Sequence, residues 1–271
     1  MHIYDGLSSG KTQNNALGDQ WTDSAVIFCA GLKSSGSTWL YNAVIQLLED
    51  DRGHSVSSRR SARMLPFYAD RLRDFPPLAA NAGTMIVKTH RPTSAMEFLV
   101  RYANGPVLIT VREPRDAVAS LMQRFGHRFE PCLSEVAVNA RRIVDLLESG
   151  GAAVFRYEQR FFESSETLAQ LATYLRLKIS GQTRRRIFRA LTATSIKKRI
   201  RFLSADGAFG RKPTPDSFDR RTQWHPGHIG DRQIGKYRAV LTLDMQEQVL
   251  AAMRDYCLAF RYPVHPSGKD M

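Results

Sequence analysis

The sequence predicts an α/β fold in which helices flank a central parallel β-sheet. Short apolar runs of strand length alternate along the chain with longer stretches of helical periodicity, a pattern typical of strand–helix–strand units. A chain of 271 residues with 43% hydrophobic residues can bury the core that such a sheet needs. We expect a polar N-terminal segment over residues 1–24 and a single domain over residues 25–271.

The first predicted strand and helix are joined by a loop of glycine, serine and lysine. An apolar run over residues 26–30 leads into the loop, and apolar residues at helical spacing begin at Trp39. Gly31 and Gly36 allow a sharp turn and a close approach to a ligand, and the N–H groups at a helix start favour an anion. The loop is therefore expected to bind a phosphate-like group.

This loop nearly matches the pattern G-x-x-x-x-G-K-[ST] of nucleoside-triphosphate enzymes. Ser37 stands where the pattern requires lysine, and the loop's own lysine, Lys33, lies in the first half. The sequence therefore predicts a P-loop-like nucleotide-binding loop without the lysine that reaches the β- and γ-phosphates.

Two further predicted strands run into polar and charged residues at their carboxyl ends. The strand at residues 85–88 is followed by Thr89 and His90, and the strand at residues 107–111 is followed by Arg112. Ligands of open α/β sheets bind beyond the carboxyl ends of the strands, so both ends are expected at one site. Arg112 stands where a triphosphatase would carry a Mg²⁺-binding aspartate, which predicts an anion site without metal.

The rest of the chain predicts helices, a fourth strand and a long loop. In order they are a loop over residues 51–63, a helix beginning near Pro114, a helix over residues 133–147, a strand over 152–156, helices over 166–175 and 182–202, a loop over 205–226, and a helix over 243–260. The helix over 182–202 is rich in arginine and lysine, which indicates a solvated face or a surface for nucleic acid or acidic lipid.

Composition limits the classes of partner and compartment. A formal net charge of +13 favours an acidic partner, and nucleic acid, acidic lipid, an anionic glycan and a phosphorylated nucleotide all qualify. Cys29, Cys132 and Cys257 are too scattered for a disulfide framework or a C-x-x-C metal site. No stretch approaches the roughly 20 apolar residues that cross a bilayer, and the chain opens without a signal-peptide pattern. We therefore expect a cytoplasmic protein without a membrane span.

Three segments resemble motifs of the sulfotransferases that use 3′-phosphoadenosine-5′-phosphosulfate (PAPS). K-S-S-G-S-T-W at residues 33–39 resembles the family's 5′-phosphosulfate loop P-K-S-G-T-T-W, R-E-P-R-D-A-V-A-S at 112–120 resembles its 3′-phosphate-binding stretch, and K-T-H at 88–90 matches its K-T-H segment. The resemblance spans residues 25–242. It implies transfer of a sulfuryl group from PAPS to a hydroxyl or amine of a small-molecule or glycan acceptor, with release of adenosine 3′,5′-bisphosphate (PAP).

The closing segment of the family, R-K-G-x-x-G-D-W-K, is only partly matched. Here the segment reads H-P-G-H-I-G-D-R-Q, in which Gly227 matches but His225 and the following proline replace the Arg-Lys pair, and Arg232 replaces the tryptophan. Other basic groups, such as Arg220, Arg221 or His225, would have to supply the missing phosphate contacts.

The resemblance assigns a role to each candidate site residue. His90 would be the general base, and Lys33 or Lys88 would carry the catalytic charge; we favour Lys33, although the family's lysine falls on Ser34 when counted back from Trp39. The implied cofactor-binding residues are Ser34, Ser35, Gly36, Ser37, Thr38, Trp39, Arg112, Ser120, Tyr157, Thr194, Ser195, His225 and Gly227. Trp39 and Tyr157 would contact adenine, Tyr157 because F-R-Y-E-Q-R-F at residues 155–161 resembles the family's strand-end Y-E-D segment. Thr194 and Ser195 resemble the family's Thr-Ser pair near the nucleotide, and no metal ligand is expected.

Two other functions compete with this interpretation. A P-loop kinase would require a lysine just after Gly36 and a metal-binding aspartate after a strand, and the sequence has neither where expected. A nucleic-acid-binding protein would explain the positive charge but not the arginine and hydroxyl residues at strand ends. The sulfotransferase hypothesis accounts for both.

Overall fold

The computed structural model describes residues 2–4, 26–51, 85–92, 105–148, 152–209, 217–219 and 221–266. Nearly all of the loop predicted over residues 51–63, and Arg220, lie outside the described residues. The division into a segment over residues 1–24 and a domain over residues 25–271 stays a prediction.

Five strands form one sheet in the order β1-β5-β4-β2-β3. They are β1 (His2–Tyr4), β2 (Val26–Gly31), β3 (Met85–Thr89), β4 (Val107–Val111) and β5 (Ala152–Arg156). Strands β2 to β5 are parallel, with Phe28 opposite Val107 and Leu108 opposite Ala153. The predicted α/β fold with a central parallel sheet is therefore confirmed.

Strand β1 is an addition to the prediction. It pairs antiparallel with β5, with Tyr4 opposite Ala152, although it belongs to the polar segment at the chain start. Three residues are too few to show the alternating pattern by which a strand is recognised in a sequence.

Nine α-helices lie within the described part of the chain. They are α1 (Ser37–Asp51), α2 (Pro114–Phe125), α3 (Phe129–Glu148), α4 (Glu166–Tyr174), α5 (Gly181–Ala190), α6 (Ala193–Ala205), α7 (Tyr237–Val240), α8 (Leu243–Ala252) and α9 (Arg254–Ala259). None of these helices is long and apolar enough to cross a bilayer.

Two of the predicted long helices are each divided in the structure. The helix predicted over residues 182–202 breaks into α5 and α6 because the Thr192 side chain accepts a hydrogen bond from the N–H of Ser195 and so caps a new helix. The helix predicted over residues 243–260 breaks into α8 and α9 at Met253, whose φ of −121° is not helical.

The sheet is covered on both faces. Phe28 and Ala30 of β2 face a layer that includes α2, α3, α8 and α9, whereas Ile27 and Cys29 face a layer that includes α1, α4, α5 and α6. Burial on both faces explains why the strands read as continuous apolar runs rather than as alternating patterns. Because helices cover both faces, the polar residues of the strands lie at the carboxyl ends.

Candidate functional site

A cavity of ≈ 490 Å³ lies at the carboxyl ends of the four parallel strands. Its walls include a residue at or after the end of each strand: Lys33 after β2, Lys88 in β3, Arg112 after β4 and Tyr157 after β5. The motifs that the sequence places far apart therefore meet at one site.

The loop between β2 and α1 is held in a tight turn. A Cβ atom on Gly31 would lie 2.2 Å from Oγ1 of Thr110 and 2.7 Å from Cβ of Ser37, so only glycine fits there. Gly36 has a φ of +86°, which favours glycine as well. Helix α1 begins at Ser37, and the first N–H groups of a helix have no intrahelical partner. The loop thus presents donors suited to an anion.

The two serines of this loop have different surroundings. Ser34 lines the cavity with a φ of +64°, and its buried Oγ has no hydrogen-bond partner among the described residues. The Ser35 hydroxyl donates to the carbonyl of Leu32 (2.5 Å) and lies 2.6 Å from Oγ1 of Thr110. The Ser35 side chain therefore stabilises the conformation of the loop, and it does not line the cavity.

Lys88 and His90 stand at the end of β3. The side chain of Lys88 is only 5% exposed, and burial, aided by the nearby Lys33 charge, lowers its pKa to about 7. Nδ1 of His90 lies 2.7 Å from the carbonyl of Gly31 and must donate to it, so the ring's lone pair is on Nε2. Burial, together with the Lys88 charge, holds the pKa of His90 well below its usual value. The imidazole is therefore a neutral base at pH 7.

Arg112 joins several parts of the site, although it is only 2% exposed. Nη1 donates to the carbonyl of Ser34 (3.1 Å) and Nη2 donates to the carbonyl of Gln233 (2.8 Å). The guanidinium carbon lies 4.1 Å from the ring centroid of Tyr157, and Oδ2 of Asp116 is 3.6 Å from Nη2. Arg112 thereby connects the loop, the closing segment and the start of α2.

Helix α2 turns two polar side chains towards the cavity. Ser120 and Arg124 both line it, and their spacing of four residues puts them on one face of the helix. Nη2 of Arg124 lies 3.2 Å from Nε2 of His225, which also lines the cavity. Burial lowers the pKa of Arg124, and the Arg112 charge adds to this effect.

Aromatic and apolar groups form another part of the wall. Trp39 lines the cavity and its Nε1 donates to the carbonyl of Leu191 (2.9 Å), which fixes the indole against the break between α5 and α6. Phe162 lies in the same wall, with its ring centroid 4.8 Å from that of Tyr157. Such surfaces are suited to a nucleobase.

Several predicted site residues lie outside this cavity lining. Thr194 is exposed, and the Ser195 hydroxyl donates to the carbonyl of Arg189 (2.7 Å), so both serve the start of α6. Gly227 is exposed in a turn. Arg221, one of the substitutes considered for the closing pair, bonds Glu49 at 2.5 Å and does not line the cavity either.

The wall also contains Arg124, His228, Arg232 and Lys236, none of which is among the predicted site residues. Arg124 could have been found from its helical spacing to Ser120, but the other three belong to a closing segment without regular periodicity. His228 lies against Trp224, with ring centroids 4.6 Å apart, and its buried Nδ1 has no partner within the described ranges.

The cavity carries an excess of positive charge. Six basic side chains line it: Lys33, Lys88, Arg112, Arg124, Arg232 and Lys236. Asp231 is the one acidic residue in the described lining, and its carboxylate bonds Nζ of Lys236 at 2.7 Å. The site is therefore suited to a ligand that carries several negative charges.

No protein-family model and no curated protein matches the sequence. Solved structures do match. Retinol dehydratase in complex with retinol and PAP has a TM-score of 0.57 at 15% identity, over 86% of this chain and 81% of that chain. The same enzyme with androsterone and the inactive cofactor PAP has a TM-score of 0.55 at 15% identity, over 86% and 80%. Mouse sulfotransferase SULT7A1 complexed with PAP has a TM-score of 0.58 at 11% identity, over 89% of each chain. The chain therefore has the fold of PAPS-dependent sulfotransferases.

Proposed function

We propose that the chain is a PAPS-dependent sulfotransferase acting on a hydroxyl or amine of a small-molecule or carbohydrate acceptor. The observation that carries this proposal is the meeting of the loop at residues 31–39, the Arg112–Ser120 pair and His90 in one cationic cavity. The fold shared with solved PAP complexes supports it.

The buried polar atoms of the cavity fit an anionic nucleotide. Of the six buried side-chain atoms without a hydrogen-bond partner in the described part of the chain, four belong to cavity residues: Ser34 Oγ, Arg112 Nε, Arg124 Nε and His228 Nδ1. Ser34 Oγ, Arg112 Nε and Arg124 Nε can each donate; a buried donor without a partner costs about 1–3 kcal/mol, and phosphate oxygens would supply acceptors for these three.

PAPS, when bound, supplies the sulfuryl group and a bisphosphate leaving group. The N–H groups at the start of α1, with the hydroxyls of the lining residues Ser34, Ser37 and Thr38, would hold the 5′-phosphosulfate. In this proposal Arg112 and Ser120, which both line the cavity, would hold the 3′-phosphate, and Trp39 would contact adenine.

His90 serves as the base in this proposal. Its Nε2 carries the lone pair and its imidazole is neutral near pH 7, so it can accept the acceptor's proton as the new oxygen–sulfur or nitrogen–sulfur bond forms. Lys33 supplies the positive charge that stabilises the leaving oxygen, with Lys88 as the alternative. Aromatic side chains in the wall, Phe125, Phe218 and Trp224, favour a small-molecule acceptor. The cytoplasmic location expected from the sequence stays part of the proposal.

Calorimetric titration with PAP tests the proposal. We expect micromolar binding by the wild-type protein, loss of that binding in Arg112→Ala, and no comparable binding of Mg²⁺-ATP. Arg128→Ala is a matched control, because the Arg128 side chain is 86% exposed and does not line the cavity. Binding of Mg²⁺-ATP or of a random DNA duplex in place of PAP would overturn the proposal in favour of a kinase or a nucleic-acid-binding protein.

A further inference from the structure

We propose that Arg124 is a 3′-phosphate-specificity residue, which replaces the Arg-Lys pair missing from the closing segment. This inference rests on the proposed function. It names the groups that make the site select a 3′-phosphorylated nucleotide over one that carries only a 5′-phosphate.

The first argument is the position of Arg124 on helix α2. Arg124 follows Ser120 by four residues, so both side chains lie on the cavity face of the same helix. A Cβ on Gly230, a cavity residue of the closing segment, would lie 3.7 Å from Cδ of Arg124. The arginine stem thus passes between α2 and the closing segment, beside the position that the missing pair would occupy.

The second argument is the unbalanced charge of Arg124. Each of the other two guanidiniums in the described wall has a carboxylate nearby, Asp116 at 3.6 Å for Arg112 and Glu163 at 3.0 Å for Arg232. Arg124 has no carboxylate within 4.0 Å in the described ranges, and its buried Nε has no partner. A partly buried cation without a counter-charge is destabilising, and a bound anion would remove that cost.

The third argument is that Arg112 and Arg124 repel each other. Both guanidiniums line the same cavity, and after burial the charge of Arg112 contributes to lowering the pKa of Arg124. A doubly charged phosphate between two guanidiniums turns this repulsion into two attractive contacts. Ser120, on the same face of α2, adds a hydroxyl donor to the same group.

His225 then acquires a defined role. Its Nδ1 lies 2.8 Å from the carbonyl of Pro226 and must donate to it, so Nε2 is the acceptor for Nη2 of Arg124 at 3.2 Å. The residue that replaces the first member of the Arg-Lys pair therefore positions an arginine from another element. His225 is a positioning residue, and Arg124 supplies the charge.

The test compares two ligands that differ by one phosphate. We would titrate wild-type protein, Arg124→Gln and Arg128→Gln with PAP and with AMP, which lacks the 3′-phosphate. A charge-assisted hydrogen bond contributes about 1.5–3 kcal/mol, so Arg124→Gln should weaken PAP binding by about 10- to 150-fold. Binding of AMP should change by less than about twofold, and Arg128→Gln should bind both ligands as the wild type does.

Two results would overturn the inference: unchanged PAP affinity in Arg124→Gln, or an equal loss of affinity for PAP and AMP. If Arg124→Gln does not fold, Arg124→Lys decides, because it keeps the charge but loses the planar fork; unchanged PAP selectivity in that variant would overturn the role of the guanidinium. If the wild-type protein binds PAP no better than AMP, the proposed function itself fails, which is a different result from failure at Arg124 alone.

Discussion

The ammonium group of Lys33 is ion-paired with the carboxylate of Glu135, a residue of helix α3. The same carboxylate oxygen lies 3.3 Å from Nη2 of Arg91, so Glu135 holds two cations beside the loop. Ser34 follows Lys33 in a left-handed conformation, which places a backbone turn where the resembled family has its lysine. Glu135 therefore determines where the shifted lysine stands.

The first prediction concerns the two candidate catalytic lysines. If Lys33 has the role proposed above, Lys33→Ala should lower kcat by about 10²- to 10³-fold, because it would remove the charge that stabilises the leaving oxygen. It should change PAP affinity much less. Release of PAP from PAPS, in the presence of an acceptor found by screening, measures the rate. Glu135→Gln is the matched control, since it keeps the lysine and removes only its carboxylate partner. A larger loss in Lys88→Ala than in Lys33→Ala would assign the charge to Lys88.

The second prediction concerns the pH profile of His90. A base must be unprotonated to act, and the lowered pKa of His90 keeps it so at pH values below 6.5. We expect kcat to stay level as the pH falls through 6.5, and to decline only at more acidic pH. His90→Asn should lower kcat by about 10²- to 10⁴-fold at every pH and remove that acidic limb. A limb centred near pH 6.5 in the wild type would contradict this prediction.

The third prediction links Lys88 to stability. Its pKa is lowered from 10.5 to about 7 in the folded protein, so between these pH values the unfolded chain binds more protons than the folded one. The contribution of Lys88 to the free energy of unfolding should therefore become more favourable to the folded state as the pH rises from about 7 to 10.5. Urea denaturation at pH 7 and pH 9 measures the free energy of unfolding of Lys88→Met and of the wild type. The variant's free energy of unfolding minus that of the wild type should be larger at pH 7 than at pH 9. An equal difference at both pH values would mean that Lys88 titrates normally.

The fourth prediction concerns the loop backbone. Gly31→Ala forces a Cβ to within 2.2 Å of Oγ1 of Thr110, so the loop must move, and we expect a loss of about 1–3 kcal/mol in stability together with weakened PAP binding. Gly181→Ala is the control, because among the described residues a Cβ on Gly181 would approach only Nη1 of Arg185, at 3.7 Å, which is an ordinary contact distance. Thermal unfolding and calorimetry of both variants measure the difference. Equal behaviour of the two variants would contradict a tight requirement for Gly31.

The parallel sheet and the main anion groups could be predicted because each depends on local sequence. Lys88, His90 and Arg112 stand at or just after the ends of apolar runs. In a parallel sheet the carboxyl ends of the strands lie together, so these three residues are predicted at one site. The helix break at Thr192 also has a local cause, because Thr192 caps the second helix. The arginine and lysine residues on both sides favour a helix, so the sequence predicts one continuous helix there.

The remaining site residues depend on contacts that no local pattern records. Arg124 is oriented by His225, which lies 101 residues further along the chain. The choice between Ser34 and Ser35 as the cavity hydroxyl depends on a backbone angle at Ser34 and on Oγ1 of Thr110 beneath the loop. Neither relationship has a sequence spacing that could be recognised in advance.

The division between α5 and α6 also affects how a nucleotide would reach the protein. Leu191, Ala193 and Ile196 at this junction line the cavity, while the basic residues of the two helices are exposed at Arg185, Arg186, Arg189, Lys197, Lys198, Arg199 and Arg201. No aspartate or glutamate occurs between residues 181 and 205. The exposed basic residues of α5 and α6 attract a multiply charged anion at long range, before any contact forms. Association of such an anion with the protein should therefore be fastest at low ionic strength.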